Sequence, residues 1–304
     1  MKAVYIKHFG GPEVLTYGDV PDPLPAEDEV LIDVAAASVN AADWKQRLGS
    51  YADLDLPHIL GRDVSGTVAA VGAGVTRFRP GDEVFAVSIQ GLEGGYAEKI
   101  ALKERIVGRK PTTVSHVEAA ALALTGLTAV SALEETLRLQ SGESILIQGG
   151  AGGVAGVAIQ FARHIGARVI TTASAANHAY VRSLGADEVI DYNKVDFVQV
   201  VRDCDAALDT VGADVAERTL LVLKSGGRAA FIGGPAPEPN RPDVRALKPP
   251  VTRSTERMNR LADLIDGGAI RPPEIKVYRL DQAAEAHRLS QSRHLRGKLV
   301  FKIG

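Results

Sequence analysis

Residues 144–156 read SILIQGGAGGVAG, an apolar run that leads directly into a glycine-rich turn. Apolar residues at helical spacing follow the turn, namely Val154, Val157, Ala158, Phe161, Ala162 and Ile165. A second apolar run occupies residues 168–172. The pattern predicts a strand, a tight turn, a helix and a second, parallel strand.

The glycines of this turn favour the binding of a dinucleotide. A bare backbone lets a pyrophosphate reach the N–H groups that open the next helix, with the positive end of the helix dipole behind them. The alternative is that the glycines only permit close packing of the helix on the strand. A glycine pattern alone is weak, but its position between strand and helix favours the dinucleotide.

The end of the second strand indicates which dinucleotide is bound. An NAD site normally carries a carboxylate about 20 residues after the glycines, where it bonds the ribose 2′-hydroxyl. Residues 171–177 read TTASAAN and contain no acid. Ser174 and Asn177 are able to donate hydrogen bonds to a 2′-phosphate there, so we expect NADPH in preference to NADH.

Strands and helices alternate regularly from the motif onward. The candidate strands are residues 144–148, 168–172, 188–190, 206–210 and 228–232. This repetition predicts an α/β fold with a doubly wound parallel Rossmann sheet over residues 118–268. Residues 1–117 are instead β-rich and interrupted by turns, and the last strand, residues 298–302, has no βαβ context. We therefore expect residues 269–304 to complete the first domain, with the Rossmann domain inserted in it.

Composition excludes several classes of protein. The 304 residues are 45% hydrophobic and carry a net charge of −2, which gives no general attraction for nucleic acid or an anionic membrane. No uncharged stretch approaches the roughly 20 residues that span a bilayer. Cys204 is the only cysteine, so an intramolecular disulfide and a zinc site built from cysteines are impossible. We expect a cytoplasmic protein with a small-molecule partner.

Short motifs along the whole chain resemble the zinc-independent quinone oxidoreductases of the medium-chain dehydrogenase/reductase superfamily. Besides the glycine turn, they are AASVNAAD at 36–43, GRDVSG at 61–66, PGDEV at 80–84, GGYAE at 94–98, LTGLTA at 124–129, LGAD at 184–187 and RGKLV at 296–300. The resemblance implies that the β-rich domain is GroES-like and that the active site lies in the cleft. It also implies a homodimer, in which residues 244–251 pair across the interface.

The resemblance assigns roles to particular residues. Gly149, Gly152, Gly153 and Val154 match the pyrophosphate site. Ser174, Asn177 and Tyr192 match the positions that hold the 2′-phosphate ribose, although Asn177 replaces a usual lysine. Val211, Ile232 and Gly233 match the walls around the ribose and nicotinamide, and Asn40 and Thr125 match residues beside the nicotinamide ring. Asn40 and Gly61-Arg62-Asp63 stand where zinc-dependent relatives carry ligands, so no zinc is expected.

Hydride transfer to a quinone or similar activated carbonyl needs orientation more than a dedicated acid, because the reduced quinone spreads its charge. An enone is more demanding, since its developing enolate oxygen needs a hydrogen-bond donor. Asn40 or Tyr51 could provide that donor. The alternative for Asn40 is a bond to a turn backbone, and the alternative for Tyr51 is an aromatic wall of the pocket. Asp43 is expected to cap the short helix or to pair with Arg47 rather than to act in catalysis.

Three functions are therefore open. The first is an NADPH-dependent quinone reductase without metal, and the second is an enone or enoyl-thioester reductase of the 2-alkenal type. The third is a catalytically idle NADPH-binding sensor protein. Asn40 and Thr125 favour an enzyme over the sensor.

Overall fold

A computed structural model of the 304-residue chain describes residues 1–50, 54–92, 94–250, 252–292 and 295–304. The chain forms two compact units. Unit 1 contains Met1–Leu124, Arg253–Gly267 and Pro272–Gly304, and unit 2 contains Thr125–Thr252 and Gly268–Arg271.

The strands are, in chain order, β1 Lys2–Ile6, β2 Thr16–Asp19, β3 Glu29–Val39, β4 His58–Ile59, β5 Asp63–Val71, β6 Glu83–Val87, β7 Lys99–Lys103, β8 Val107–Arg109, β9 Ser144–Ile147, β10 Arg168–Ala173, β11 Glu188–Asp191, β12 Cys204–Asp209, β13 Leu223–Phe231, β14 Arg245–Leu247, β15 Ile275–Arg279 and β16 Lys298–Lys302. The α-helices are α1 Ala41–Arg47, α2 His116–Val130, α3 Gly153–Ile165, α4 His178–Ser183, α5 Phe197–Val200, α6 Asp214–Leu220, α7 Thr255–Asp266 and α8 Ala283–Gln291.

Unit 1 is built on a mixed sheet with the order β15-β16-β3-β5-β6-β8, to which β7 adds by pairing with β3. In β3 the side chains of Val30, Ile32 and Val34 are buried while Asp33 is exposed, as the alternating sequence predicts. The last strand, β16, pairs antiparallel with β3 and places Leu299 opposite Val39. Strand β16 is therefore part of the same sheet as β3.

Unit 2 contains a parallel sheet with the order β11-β10-β9-β12-β13-β14. Strand β9 lies between β10 and β12, so the direction of chain progression reverses there. In open α/β sheets ligands bind at such a reversal, beyond the carboxyl ends of the strands. The doubly wound fold is confirmed, and the glycine turn after β9 lies at the reversal point.

The compact units differ from the sequence-based domain division at α7. The sequence grouped residues 118–268 together, whereas the structure groups α7 with unit 1. Helix α7 packs so closely on Gly108 that a Cβ added there would lie 2.4 Å from the Met258 Cβ. At the end of the helix, Asp266 accepts hydrogen bonds from the backbone and hydroxyl groups of Thr112 and Thr113.

Among the described residues, one helical segment meets the length and composition of a membrane span. His116–Thr136 comprises 21 residues and contains an 18-residue window of mean hydropathy 1.4, of which 78% is buried inside the protein. The sequence reading, which counted only uncharged runs, did not identify this segment. Its burial is that of a core helix.

The only cysteine, Cys204, opens β12 and is fully buried. Burial raises the pKa of its thiol to about 11. The prediction that it is a buried apolar residue is confirmed.

A buried polar chain joins α1 to α8 within unit 1. Arg47 Nη1 lies 3.0 Å from His287 Nδ1, and His287 Nε2 lies 3.3 Å from the Tyr96 hydroxyl. Because a guanidinium only donates, Nδ1 of His287 accepts and Nε2 carries the proton. Burial and the adjacent Arg47 lower the pKa of His287 to about 3.

His287 therefore makes the stability of the protein depend on pH. Its folded pKa lies below its unfolded value, so the unfolded chain binds the proton first and stability is lost as pH falls below about 6.5. His287→Gln keeps one acceptor and one donor without the titration. Between pH 7.5 and pH 5, urea unfolding should show the native protein losing about 2 kcal/mol more than the variant. Equal losses would contradict the neutral, buried imidazole.

Candidate functional site

In unit 2, the first part of the site is the open N-terminus of α3. Gly152 is the N-cap residue, no side chain caps the helix, and the first turn contains no acidic residue. The helix therefore begins with backbone N–H groups that no cap engages. Together with the helix dipole, they suit a phosphate group.

Steric contacts explain the glycines that precede this helix. Gly149 adopts a φ of 74°, which favours glycine, and a Cβ on Gly150 would lie 2.3 Å from Thr171 Oγ1. A Cβ on Gly152 would lie 3.3 Å from the Gly149 oxygen, a tight contact that a shift of a few tenths of an ångström would relieve. Gly149 and Gly150 thus shape the turn, and Gly152 is the residue at which the helix begins.

Two threonines at the end of β10 hold the turn in place, a role the sequence analysis missed. Thr172 Oγ1 accepts a hydrogen bond from the Gly149 N–H at 3.0 Å and donates to Gln148 Oε1 at 2.7 Å. Thr171 Oγ1 donates to the Ile147 carbonyl at 2.6 Å. The signal was the Thr171-Thr172 pair at the carboxyl end of the neighbouring strand.

The loops after β12 and β13 touch one another. A Cβ on Gly233 would lie 2.5 Å from the backbone nitrogen of Gly212, so the two backbones are in direct contact. Asp209 anchors the first loop, accepting hydrogen bonds from the N–H groups of Val211 and Gly212 at 2.8 and 3.1 Å. Burial raises the pKa of Asp209, against the effect of those two bonds. Val211, Ile232 and Gly233 are thus neighbours, as the predicted wall requires.

Ser174, Asn177 and Tyr192 lie at the carboxyl ends of two adjacent strands, β10 and β11. Asn177 Nδ2 donates to Ser174 Oγ at 3.2 Å, and Tyr192 is 53% exposed immediately after β11. The three side chains are therefore at the edge of the sheet that carries the glycine turn. Thr125, also in unit 2, is buried in α2.

In unit 1, Asn40 is held on three sides by hydrogen bonds. It precedes α1 and is 8% exposed. Its Oδ1 accepts from Lys298 Nζ at 2.6 Å, its Nδ2 donates to Asp63 Oδ2 at 2.9 Å, and its backbone N–H donates to Asp43 Oδ2 at 2.7 Å. The alternative role of Asn40, a hydrogen bond to the backbone of a turn, therefore describes only part of its contacts.

The partners of Asn40 form a buried group of opposite charges. Asp63 also accepts from Ser38 Oγ at 2.6 Å, and Lys298 also donates to the Val39 carbonyl at 2.8 Å. Burial raises the pKa of Asp63, while Lys298, Ser38 and Asn40 lower it. Burial lowers the pKa of Lys298, while Asp63 and Asp43 raise it. Sequence reasoning missed Ser38 and Lys298, although both lie in the quoted motifs.

Asp43 is the buried acid beside Asn40. It caps α1 by accepting from the Asn40 N–H, as expected, and it accepts from the Tyr96 hydroxyl at 2.8 Å. Burial raises the pKa of Asp43 to about 7. Its second oxygen, Oδ1, is buried without a hydrogen-bond partner among the described residues.

Two further expectations concern Tyr51 and metal ligands. Tyr51, the other candidate hydrogen-bond donor, lies outside the residues that the structure describes. In the described part of the chain, no group of three or more His, Cys, Asp or Glu side chains is placed to hold a metal ion.

Two protein-family models match this chain. Residues 26–112 match the alcohol dehydrogenase GroES-like domain, and residues 184–301 match a family described as zinc-binding dehydrogenase. The chain is 34% identical to 2-methylene-furan-3-one reductase of Solanum lycopersicum, over 99% of this chain and 79% of that protein. It is 34% identical to the chloroplastic NADPH-dependent alkenal/one oxidoreductase of Arabidopsis thaliana, with the same coverage.

A quinone oxidoreductase of Sus scrofa is 32% identical over 100% of this chain and 98% of its own length. Among solved structures, the quinone oxidoreductase from Coxiella burnetii has a TM-score of 0.94 and 34% identity, covering 100% of this chain and 99% of that chain. The Escherichia coli quinone oxidoreductase complexed with NADPH has a TM-score of 0.90 and 27% identity, covering 99% and 100%. The chain belongs to the quinone oxidoreductase family of the medium-chain dehydrogenase/reductase superfamily.

Proposed function

We propose that the protein uses NADPH to reduce a quinone or a similar activated carbonyl compound, and that it does so without zinc. The observation that carries this proposal is the uncapped, glycine-lined N-terminus of α3 at the reversal point of the parallel sheet. The relatives named above support both the nucleotide and the class of acceptor.

The residues of unit 2 fit a dinucleotide phosphate. Gly149, Gly152, Gly153 and Val154 would receive the pyrophosphate, and Ser174, Asn177 and Tyr192 the 2′-phosphate ribose. Val211, Ile232 and Gly233 would flank the ribose and nicotinamide, and Thr125 the nicotinamide ring. When bound, NADPH supplies the hydride from its nicotinamide C4. The protein contributes the orientation of that group and a space from which water is excluded.

Asn40 is the proposed catalytic residue of unit 1. Lys298 and Asp63 occupy its carbonyl oxygen and one of its amide N–H groups. Its second amide N–H has no partner among the described residues. We propose that this N–H donates to the carbonyl oxygen of the acceptor, on which negative charge develops during hydride transfer. Tyr51 is proposed as a second donor or as a wall of the same pocket.

Reduction of an enone is the second candidate function. A preorganised N–H donor is worth more to an enolate, whose charge collects on one oxygen, than to a reduced quinone. Two relatives are named for furanone and alkenal/one substrates.

The absence of zinc is part of the proposal. Asn40 and Gly61-Arg62-Asp63 stand at positions where zinc-dependent relatives carry metal ligands. The Asp63 carboxylate accepts hydrogen bonds from Ser38 and Asn40. A single cysteine leaves no set of thiolates for a structural zinc.

We also propose that the protein is a cytoplasmic homodimer. Strand β14, Arg245–Leu247, is the edge of the parallel sheet, which supports pairing between two copies in a homodimer. Pro249 and Pro250 follow it and lack the N–H groups that would extend the pairing. The charge balance and the single cysteine support a cytoplasmic protein that binds neither membrane nor nucleic acid.

Gly152→Ala tests the phosphate site. Gly152 has φ −75° and ψ 161°, which alanine adopts without strain, so the fold should be retained. The added methyl would occupy the space in front of α3 and should weaken NADPH binding by about tenfold, or ~1.4 kcal/mol. Fluorescence titration with NADPH measures this. Gln199→Ala, at an exposed position of α5 in the same unit, is the control and should bind NADPH normally.

Titration with both nucleotides tests the 2′-phosphate site. We expect NADPH to bind more tightly than NADH, because Ser174 and Asn177 are able to donate hydrogen bonds and residues 171–177 contain no acid. Asn177→Lys should widen the difference, and Ser174→Asp should narrow it. Equal affinity of the native protein for both nucleotides would refute this assignment of Ser174.

Steady-state assays of Asn40→Ala separate the two functions. With 1,4-benzoquinone the variant should lose less than about tenfold in kcat, whereas with a short enone it should lose about a hundredfold, as for the removal of an oxyanion donor. Activity on enones alone would remove the quinone function. NADPH binding without turnover of any acceptor would favour the sensor.

Full activity of the native protein after dialysis against a chelator is expected. Loss of that activity would contradict the zinc-free proposal.

A further inference from the structure

Lys298 is a buried cation whose hydrogen bonds lead to the proposed catalytic amide. The side chain is 4% exposed, and its ammonium donates to the Asn40 Oδ1 and to the Val39 carbonyl. A buried lysine is costly unless its charge is compensated. The Lys298 ammonium contacts an amide oxygen rather than a carboxylate. Charge compensation alone therefore does not explain its position.

We propose that Lys298 is a positioning residue for the reaction: it fixes the orientation of the Asn40 amide, so that an N–H and not the carbonyl oxygen is presented to the acceptor. The inference rests on the proposed role of Asn40. Lys298 itself is not proposed to touch the substrate.

Only one orientation of the amide satisfies both of its charged neighbours. The ammonium of Lys298 needs an acceptor, which Oδ1 supplies at 2.6 Å, and the carboxylate of Asp63 needs a donor, which Nδ2 supplies at 2.9 Å. Rotating the amide by half a turn would set its NH₂ against the ammonium and its oxygen against the carboxylate. Both contacts would then be repulsive. Without Lys298, one of the two constraints on the amide is lost.

The backbone holds these groups at a fixed separation. Strand β16 pairs with β3, with Leu299 opposite Val39, so Lys298 lies beside the residue that follows β3. The Asn40 N–H is bonded to Asp43, and the Val39 carbonyl accepts from Lys298. The amide is thus positioned by two strands and a helix cap rather than by a loop alone.

The charge of Lys298 also favours donation by the amide. A cation at the carbonyl oxygen polarises the amide group and makes its N–H groups stronger donors. That effect helps most where negative charge develops in the transition state, so it should act on kcat more than on KM.

A double-mutant cycle tests the inference, using Lys298→Met, Asn40→Ala and the combined variant. With a short enone, Lys298→Met should lower kcat by about tenfold or more, with KM for the enone and Kd for NADPH changed less than about twofold. In the Asn40→Ala background, the same substitution should change kcat less than about twofold. Multiplicative losses would overturn the proposal, because Lys298 would then act independently of Asn40.

Lys302→Met is the matched control, since Lys302 is an exposed lysine on the same strand. It should leave kcat, KM and Tm close to those of the native protein. If Lys298→Met does not fold, Lys298→Arg and Asp63→Asn replace it in the cycle. Lys298→Arg keeps a cationic donor and should retain more activity than Asp63→Asn. In Asp63→Asn a neutral amide replaces the carboxylate and can face Asn40 with either its oxygen or its NH₂, so it no longer selects one orientation. The reverse order would overturn the proposal.

The outcomes separate this inference from the proposed function. If Asn40→Ala is as active as the native protein on enones, the catalytic role of Asn40 falls and the role of Lys298 falls with it. If Asn40→Ala is slow while Lys298→Met keeps the native kcat, the function stands and only the inference falls.

Discussion

The antiparallel pairing of β16 with β3 is the constraint on which unit 1 depends. It ties the end of the chain to a strand near its beginning, and thereby places a lysine from position 298 against an asparagine at position 40. These residues are 258 positions apart in sequence, and the entropy of closing so long a loop must be offset by the sheet and its core. Once that register is formed, the positions of Asn40, Asp63 and Lys298 follow from the strands that carry them.

Burying several ionisable groups in unit 1 costs free energy of folding. Asp43, Asp63, Lys298, Arg47 and His287 are all buried, and burial works against the charged form of each group. Replacing such groups by apolar residues is often neutral or stabilising in other proteins. Buried networks of this kind are better understood as a means of fixing a few polar atoms in space. In unit 2 backbone groups are fixed instead, because Asp209 and Thr172 hold the loops that belong to the candidate site.

The sequence was sufficient for the regular elements and for the glycine turn. Residues 298–302 were identified with the bounds that the structure gives them, because a short apolar run is a local signal. The Rossmann topology followed from the alternation of strands and helices. The assignment of α7 to the Rossmann domain differed from the compact units, since its neighbours Gly108, Thr112 and Thr113 are distant in sequence. Lys298 and Tyr96 were missed for the same reason: single polar residues in a strand or turn give no periodic signal, and their partners are set by tertiary structure.

The burial of Cys204 has a consequence for a protein that handles quinones and enones. Such compounds are electrophiles that alkylate accessible thiolates, and the thiolate, not the thiol, is the reactive form. The sole sulfhydryl group of this chain sits at the start of a central strand with no exposed surface and with a pKa raised to about 11. The thiol is thereby shielded from alkylation by the proposed substrates.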